Sequence, residues 1–408
     1  MRRSVDEHLE AVLGRVTALP AFDQPLMDAV GLMLCEDIVS GVSLPGFDNS
    51  AMDGYAVQAA DLAGASDENP ISLPVVGEFR AGRSEPIVVT PGTCVRIMTG
   101  APMPRGADSV VPVEWTDGGT VTVRITQQPP VGGSVRYAGE DVTAGVQVLD
   151  RDTVLGPRQI AVLAAVGRAR VKARPRPRVV VISTGAELRE PGSRLGDGQI
   201  YDSNSYTLAA CARDAGAVAY RVGIVDDDPK RIMDTLSDQL VRADLVITTG
   251  GVSMGAYDIV KEELSKLGTV DFPQVAMQPG KPQGFGVIGD DEVPIFTLPG
   301  NPVSAYISFE VFVRPALRKM MGQMPYRRTL VPGVTLDGFS SPAGRRQFVR
   351  AAATSGDEGW MASTVGGHGS HLLGGLSRAN ALIVVPEDVT SVRSGDQVEL
   401  MLLGGETG

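Results

Sequence analysis

Short apolar runs alternate with amphipathic stretches between Val179 and Met321, and this is the most regular pattern in the chain. The runs predict strands, and the stretches, with apolar residues about every 3.6 positions, predict helices. The predicted strands are Val179–Ile182, Val218–Val225, Leu245–Thr249, Gly284–Ile288 and Ile295–Leu298. The predicted helices are Ser205–Ala215, Pro229–Val241, Ile259–Leu267 and Pro302–Met321. This alternation predicts βαβ units, a mainly parallel sheet and ligand binding at the carboxyl ends of its strands.

Three further helices are predicted nearer the N-terminus. A capping box, Ser4 to Glu7, begins an amphipathic pattern that is expected to end near Pro20. A second helical pattern covers Leu26–Leu34. The third, Arg158–Val166, follows a glycine and a proline, which suit the N-cap and the first helical position.

Two other regions predict β structure, because their apolar runs are short, β-branched and separated by Gly, Pro or Asp. In the first region the predicted strands are Ile71–Phe79, Cys94–Met98, Ser109–Trp115, Thr120–Thr126 and Val146–Leu149. In the second they are Thr329–Leu336, Arg346–Ala352, Ala381–Val385 and Gln397–Leu402. Basic and apolar residues alternate along Gly344–Arg350, which predicts a strand with a positively charged face.

The predicted strand Leu245–Thr249 runs into a glycine-rich turn, Gly250 to Gly255, and then into Asp258 and a helix. A turn of this kind presents backbone N–H groups to an anion at the start of a helix. Many glycine-rich turns, however, are only sharp bends. Whether this one binds a ligand therefore depends on which other residues lie beside it.

Charged side chains are expected at the same edge of the sheet. Glu187 follows the first predicted strand and Asp227 the second, so both could meet Asp258 there. Asp258 could instead be a helix N-cap. Lys281 and Ser304, near the remaining strands, are the candidates to bind an anion at this edge.

The polar, turn-rich segment Pro45–Tyr55 has two interpretations. Its carboxylate and amide side chains could simply cap the backbone of a loop. Alternatively, the loop could be ordered so that it brings Asp53 to a functional site. The segments Arg96–Ala101 and Tyr137–Asp141 have the same two interpretations: ordinary turns, or ordered loops that bring side chains to a functional site.

Length and charge narrow the classes of function. A chain of 408 residues is expected to form two to four domains. A net charge of −11 argues against nucleic acid or an anionic membrane as the main partner. The three cysteines lie far apart, which favours core packing over a disulfide framework. No apolar run suggests a signal peptide or a membrane span, so a cytoplasmic location is expected.

Seven motifs, in order over nearly the whole length, resemble those of a known family. They are DNSAMDGYA (48–56), MTGAPMP (98–104), GED (139–141), STGAEL (183–188), TTGGVSMGAYD (248–258), PGKP (279–282) and LPGNPVS (298–304). Each motif alone is weakly specific, whereas the set is highly specific. The chain resembles the molybdopterin molybdenumtransferases of the MoeA type, relatives of the gephyrin E domain.

This resemblance implies a multidomain fold of α/β and β architecture and a homodimer. A discontinuous, partly helical domain (1–45 and 140–175) would carry an inserted β domain (46–139). A central parallel α/β domain that binds molybdopterin (176–325) and a C-terminal β-barrel (326–408) would follow.

The resemblance also implies a reaction. The enzyme would take adenylylated molybdopterin and molybdate, release AMP with the help of Mg²⁺ or another divalent cation, and leave molybdenum on the pterin. Contact with other cofactor-biosynthesis proteins is expected. Since the pterin supplies the sulfur ligands, the protein needs no cluster of Cys or His. A hard cation takes oxygen ligands, which carboxylates provide.

Site residues follow from the motifs. Catalytic roles are implied for Asp53, Thr99, Asp141, Glu187, Asp227 and Asp258, and binding of the divalent cation for Glu187, Asp227 and Asp258. Binding of the pterin and its phosphate is implied for Thr184, Gly185, Gly250, Gly251, Ser253, Gly255, Pro299, Gly300 and Asn301. Molybdate binding is assigned to Lys281, Ser304, Arg350 and Ser370.

Two features of the motif regions bear on these assignments. Many relatives have a lysine before PGKP, where this chain has Gln278. The sequence also leaves open which of Arg345, Arg346 and Arg350 contacts molybdate. In a dimer, the sites on the first domains would face the α/β domain of the partner subunit.

Two other functions compete with this interpretation. The first is a molybdopterin-binding scaffold without catalysis, but a scaffold has no need of Glu187, Asp227 and Asp258 together beside a glycine turn. The second is a pyrophosphatase that acts on another adenylylated substrate and would hydrolyse it without molybdate.

Overall fold

The computed structural model describes residues 2–80, 82, 87–250, 259–367 and 369–404. The chain divides into two compact units. The first unit comprises 1–22, 31–33 and 173–408, and the second comprises 23–30 and 34–172. Each unit has hydrophobic clusters of its own, and each is described here by itself.

The N-terminal helix, Val5–Arg15, has the predicted capping box. The Ser4 Oγ accepts a hydrogen bond from the Glu7 N–H at 3.1 Å, and the Glu7 carboxylate accepts one from the Ser4 N–H at 2.7 Å. These two bonds satisfy backbone donors that the first helical turn leaves free. The helix ends at Arg15, earlier than the expected end near Pro20.

The predicted helix Leu26–Leu34 is wrong. This segment makes a single turn, in which the Ala29 N–H donates to the Pro25 carbonyl at 3.0 Å. Gly31 then adopts a left-handed φ of +80°, which stops helix propagation. Leu34 pairs instead with Thr153 through a backbone hydrogen bond of 2.9 Å.

The second unit contains a five-stranded sheet that corresponds to the predicted β region. Its strands in spatial order are Ser109–Pro112, Gly54–Val57, Cys94–Ile97, Ile71–Phe79 and Thr122–Ile125. The strand Gly54–Val57, predicted as the end of a loop, is wholly buried between two antiparallel partners. Gly54 is required there, because a Cβ would lie 1.9 Å from the Val111 carbonyl oxygen.

Outside this sheet lie a helix, short strands and two 3₁₀ turns. The helix Pro157–Ala165 begins with Gly156 as N-cap and a proline in its first turn, as predicted. The short strands are Phe22–Pro25, Ile38–Val39, Asn49–Ser50, Val135–Arg136, Gln147–Leu149 and Arg170–Ala173. The 3₁₀ turns are Ala59–Leu62 and Val113–Trp115.

The first unit contains the predicted α/β sheet. Its strands in spatial order are Val218–Val225, Arg178–Thr184, Leu245–Thr249, Val293–Leu298, Gly284–Ile288 and Val270–Asp271. The first four are parallel, and Gly284–Ile288 is antiparallel to both of its neighbours, so Val270–Asp271 runs in the same direction as the first four. The antiparallel strand Gly284–Ile288 begins where its neighbour Val293–Leu298 ends, since Gly284 pairs with Thr297. The segment 279–283 therefore reaches the same edge as the carboxyl ends of the parallel strands.

Helices cover both faces of this sheet, and their positions match the amphipathic patterns. They are Asn204–Asp214, Pro229–Leu240, Ile259–Lys266, Pro302–Ser308 and Arg314–Met321. Asp228 caps the second of them by accepting a hydrogen bond from the Arg231 N–H. The predicted single helix Pro302–Met321 is interrupted by a π-helical turn, Phe309–Val313. Pro315 explains the interruption, because it has no N–H to donate within a regular α-helix.

The C-terminal part of the first unit is a closed barrel. Its strands in order are Arg346–Gly356, Gly359–Thr364, Leu330–Thr335, Gln397–Leu402 and Ala381–Val385, and the last pairs with the first. Short elements flank the sheet and barrel: Leu188–Arg189, Ile200–Tyr201, Met277–Gln278, Phe339–Ser340, Ser391–Val392 and the helix Leu373–Leu376.

These findings confirm the predicted fold class: a mainly parallel α/β domain, a separate β domain, a C-terminal barrel and further helical parts. The four domain boundaries given above remain a prediction. Among the described residues, no helix combines the length and apolar character needed to span a bilayer.

His8 provides a test of the core at the N-terminal helix. Its ring is 1% exposed and lies 4.7 Å from the Phe312 ring, centroid to centroid. Burial lowers the pKa of His8 from 6.5 to about 4, so the folded protein keeps the ring neutral. The unfolded chain binds a proton below its ordinary pKa. The free energy of unfolding is therefore expected to fall as the pH drops below 6.5, by roughly 2 kcal/mol at pH 5.

Urea unfolding at pH 7 and pH 5 measures this effect. A His8→Leu variant should lose that part of the pH dependence, because leucine does not titrate. An equal pH dependence in the variant and the wild type would contradict this explanation.

Candidate functional site

Gly250 and Gly300 meet at the carboxyl edge of the α/β sheet. Gly250 has a φ of +91°, and a Cβ on it would lie 2.7 Å from the Thr184 carbonyl oxygen. A Cβ on Gly300 would in turn lie 3.7 Å from the Gly250 Cα. Thr184, Gly250 and Gly300 thus meet backbone to backbone, with Pro299 buried beside them. This is the close approach that a turn binding a phosphate requires.

Two residues that the sequence analysis did not single out hold this edge together. The buried carboxylate of Asp202 accepts hydrogen bonds from Ser183 Oγ at 3.1 Å and from Ser205 Oγ at 2.5 Å. Asn204 donates through Nδ2 to Thr249 Oγ1 at 2.9 Å and to the Gly300 carbonyl at 2.7 Å. Polar residues at a helix start usually cap that helix, so the pattern gave no signal of these longer links.

Glu187 and Asp227 come together at the turn after the first strand of the sheet. Asp227 Oδ2 accepts a hydrogen bond from the Ala186 N–H at 3.1 Å. The Glu187 carboxylate lies over Gly185, since a Cβ on that glycine would be 2.6 Å from Glu187 Oε2. Both carboxylates are exposed to solvent. Each of the two acids therefore lies against the turn Gly185–Ala186, and Asp258 is outside the described residues.

Lys281 and its neighbours lie at the same edge because the strand after them is antiparallel. The Gln283 amide fixes this segment by donating to the Gly280 carbonyl at 2.6 Å and to Ser308 Oγ at 2.7 Å. Within the described residues, the half-buried Lys281 ammonium has no hydrogen bond or ion pair. Gln278 Oε1 accepts from Arg345 Nη1 at 3.5 Å, so a guanidinium lies beside the position where many relatives have a lysine.

Arg350 has a different environment from the one predicted. It is 3% exposed, and burial lowers its pKa. Its guanidinium donates to the carbonyl oxygens of Gly367 at 2.6 Å and Gly369 at 3.2 Å, and also to that of Leu372. Arg350 therefore fixes the loop that contains Ser370.

This loop lies against the start of a helix at the sheet edge. The Val303 N–H donates to the Ser370 carbonyl at 3.1 Å. Since Val303 directly precedes Ser304, this bond places Ser370 near Ser304. Ser304 is 4% exposed. On the predicted basic face of the strand Arg346–Gly356, Arg346 is paired with Asp6 at 2.8 Å and Glu387 at 3.1 Å.

In the second unit, Asp53 and Thr99 form a direct contact. Asp53 Oδ1 accepts hydrogen bonds from the Thr99 N–H at 2.7 Å and from Thr99 Oγ1 at 2.8 Å. These two bonds hold the pKa of the Asp53 carboxyl below its ordinary value. Both side chains are exposed. The segment with Asp141 is linked to the same loop, since the Ala138 N–H donates to Asp48 Oδ1 at 2.8 Å.

Both interpretations of the segment 45–55 are thus partly met: its acids cap backbone N–H groups, and Asp53 is held in an ordered position. Asp141 is exposed and lines an open groove with Glu140, Arg136 and Pro45. Asn301, at the other unit's sheet edge, is exposed as the N-cap of its helix.

Several predicted site residues lie outside the described residues: Gly251, Ser253, Gly255 and Asp258. Among the residues that are described, no group of three or more His, Cys, Asp or Glu could hold a metal ion. The predicted cation ligands Glu187 and Asp227 would thus act with a third ligand from outside this set.

Three family models cover most of the chain. A model of the MoeA N-terminal region (domain I and II) matches residues 3–167, and one of a probable molybdopterin binding domain matches 180–319. A model of the MoeA C-terminal region (domain IV) matches 332–403. Molybdopterin molybdenumtransferase 2 of Mycobacterium tuberculosis is 46% identical over 407 residues, covering 98% of this chain and 99% of that protein.

The chain belongs to the molybdopterin molybdenumtransferase family. Molybdopterin molybdenumtransferase of Nostoc is 38% identical, covering 93% of this chain and 88% of that protein. A crystal structure of the molybdopterin biosynthesis MoeA protein from Pyrococcus horikoshii superposes with a TM-score of 0.82 at 31% identity. That match covers 99% of this chain and all of the other. The predicted family and enzyme class, a transferase of molybdenum cofactor biosynthesis, are confirmed.

Proposed function

We propose that this molybdenumtransferase inserts molybdenum from molybdate into adenylylated molybdopterin and releases AMP in a step that requires a divalent cation. The observation that carries the proposal is the contact of Thr184, Gly250 and Gly300 at one sheet edge. A turn in which no Cβ fits can bring its N–H groups against a phosphate. The names of the relatives given above support the choice of pterin and metal.

The residues at this edge fit a divalent cation. Glu187 and Asp227 are exposed carboxylates on adjacent turns, and Asp227 uses only one of its oxygens for the Ala186 N–H. Mg²⁺ prefers oxygen ligands and keeps several waters, so two or three carboxylates are a suitable set. When bound, the cation would offset the negative charge of the pyrophosphate and orient water. Glu187, Asp227 and Asp258 would hold it.

The other half of the site would bind molybdate, a tetrahedral dianion. Lys281 offers a cation that no described residue neutralises, and Ser304 and Ser370 offer hydroxyl donors. A dianion of this kind is bound best by charge-assisted hydrogen bonds in a confined place. Because Arg350 donates to loop carbonyls, we assign it to positioning Ser370 rather than to direct contact.

The role of the second unit in this proposal depends on dimerisation. In a homodimer, Asp53, Thr99 and Asp141 of one subunit would face the α/β domain of the other, as the family resemblance implies. We propose that these residues complete the site, that the enzyme acts in the cytoplasm and that it contacts other proteins of cofactor biosynthesis.

An AMP-release assay tests the function. Purified protein is incubated with adenylylated molybdopterin, molybdate and Mg²⁺, and AMP is measured by chromatography. We expect release that is stimulated by molybdate and stopped by chelation. Release at the same rate without molybdate would indicate a pyrophosphatase, and pterin binding without release would indicate a scaffold.

An Asp227→Asn variant tests the cation ligand. Asparagine can still accept the hydrogen bond from the Ala186 N–H, so the turn should be retained while a negative ligand is lost. We expect the rate of AMP release to fall by at least about 100-fold, with partial recovery at high Mg²⁺. Asp238→Asn, an exposed acid on the helix Pro229–Leu240, is the matched control. Wild-type rates in Asp227→Asn would remove Asp227 from the cation site.

A further inference from the structure

Asn204 joins the two glycine turns of the sheet edge with one side chain. Its Nδ2 donates to Thr249 Oγ1, directly before Gly250, and to the carbonyl of Gly300. Thr249 Oγ1 donates in turn to the Pro299 carbonyl at 3.4 Å. Asn204, at the start of the helix Asn204–Asp214, is thus bonded to both Thr249 and Gly300, and Thr249 is bonded to Pro299. A movement of Thr249 or Gly300 would break at least one of these bonds.

The orientation of the Asn204 amide is fixed by these contacts. A carbonyl oxygen can only accept, so the group that faces Gly300 at 2.7 Å must be the NH₂. Asn204 Oδ1 is buried and accepts no hydrogen bond from the described residues.

The residue two positions earlier fixes Asn204 itself. The buried Asp202 carboxylate accepts hydrogen bonds from the Ser205 N–H at 3.0 Å and from Ser183 Oγ at 3.1 Å. Ser183 directly precedes Thr184, whose backbone contacts Gly250. Asp202 therefore anchors the start of the helix to the end of the strand Arg178–Thr184, and Asn204 extends from that start to Thr249 and Gly300.

We propose that Asn204 is a positioning residue that sets the separation of the Gly250 and Gly300 turns and thereby the binding of adenylylated molybdopterin. The proposal rests on the function proposed above. Backbone N–H groups bind a phosphate only within a narrow range of distance, so a displacement of about 1 Å costs on the order of 100-fold in rate. Asn204 would not touch the reacting atoms.

Asn204→Asp is the informative substitution, because it keeps the shape and removes the donor. An ionised carboxylate would face the Gly300 carbonyl oxygen, which can only accept, so this link would break, whereas the Thr249 hydroxyl can rotate and donate to the carboxylate. Repulsion from the Gly300 carbonyl would raise the pKa of the new carboxyl group. Once protonated, it can donate one hydrogen bond again, so the defect should lessen as the pH falls. A loss of stability alone would not produce this pattern.

The experiment measures AMP release from adenylylated molybdopterin between pH 5.5 and 8 for the wild type, Asn204→Asp and Asn204→Ala. At pH 8 we expect kcat/KM of Asn204→Asp to be about 100-fold below that of the wild type. The loss should lie mainly in KM for the pterin, with KM for molybdate unchanged. At pH 5.5 the wild-type kcat/KM should exceed that of Asn204→Asp by a several-fold smaller factor than at pH 8. The corresponding ratio of kcat/KM between the wild type and Asn204→Ala should stay constant with pH.

Asn380→Asp in the barrel is the matched control. Asn380 also bridges backbone groups, accepting from the Ala353 N–H at 2.6 Å and donating to the Ala353 carbonyl at 2.8 Å. It should show no change in KM for the pterin. If Asn204→Asp keeps the wild-type KM and pH profile, the proposal for Asn204 is wrong. If the wild type itself releases no AMP, the proposed function fails instead, so the two outcomes are distinguishable.

Discussion

Replacing Gly250 by alanine is expected to abolish most of the enzyme's activity. The added Cβ would lie 2.7 Å from the Thr184 carbonyl oxygen and 3.3 Å from Thr184 Oγ1, closer than such atoms approach. The backbone φ of +91° is also strained for alanine. The turn must move by a few tenths of an ångström or more, so we expect kcat/KM for AMP release to fall by roughly 100-fold.

Gly223→Ala is the control for this substitution. Gly223 lies in the edge strand Val218–Val225 of the same sheet, and a Cβ there would meet nothing within 4 Å. Its rate and its melting temperature should remain close to those of the wild type. If Gly250→Ala binds adenylylated molybdopterin as tightly as the wild type, the backbone contact at this edge is not the phosphate site.

The largest loss of stability is expected from Arg328→Met. The side chains of Arg328 and Glu310 are each 3% exposed, and Arg328 Nε donates to Glu310 Oε2 at 2.5 Å. Arg328 Nη1 also donates to the Leu402 carbonyl at 3.1 Å, which links the barrel to the pair. Removing the arginine leaves a buried carboxylate without its cation. We expect the free energy of unfolding to fall by about 3–5 kcal/mol, measured by urea denaturation.

Two further variants separate lost charge pairing from lost packing. The double variant Glu310→Met with Arg328→Met leaves no buried charge, so it should recover much of the stability. Lys266→Met removes an exposed ion pair with Glu263 and should cost less than about 1 kcal/mol. If the double variant is no more stable than Arg328→Met, the unpaired carboxylate is not the cause of the loss.

The α/β sheet could be predicted closely from the sequence. The strands Val218–Val225, Leu245–Thr249 and Gly284–Ile288 have the predicted ends. Parallel strands buried on both faces are nearly continuous apolar runs, and the turns between them are rich in Gly, Pro or Asp. The signal in this region is therefore local, and local signals are what a single sequence contains.

The strand Gly54–Val57 could not be predicted in the same way. Its four residues follow a polar, turn-rich motif, and a run so short carries no periodic signal. What makes it a strand is its burial between Cys94–Ile97 and Ser109–Pro112, about 40 residues or more along the chain. Tertiary contacts also decide the segment Leu26–Leu34, where Leu34 pairs with Thr153 in place of helical bonds.

The candidate site shows the same division. Glu187, Asp227 and Lys281 could be singled out from the sequence, because acids and a lysine at predicted strand ends indicate chemistry by their type and place. Asn204 was not identified, since its bonds reach residues 45 and 96 positions away. Arg350 was placed on the right strand, but its partners lie in a glycine-rich loop whose fold has no sequence signature.

The antiparallel strand Gly284–Ile288 has a practical consequence for studying the enzyme. Its hairpin turn, with Asp290 and Asp291 exposed, lies at the opposite end of the strand from the Lys281 segment. Five residues at about 3.4 Å each separate the two ends by roughly 17 Å. A fluorescent label or a short affinity tag inserted in this turn would report on the α/β domain without touching the Lys281 segment.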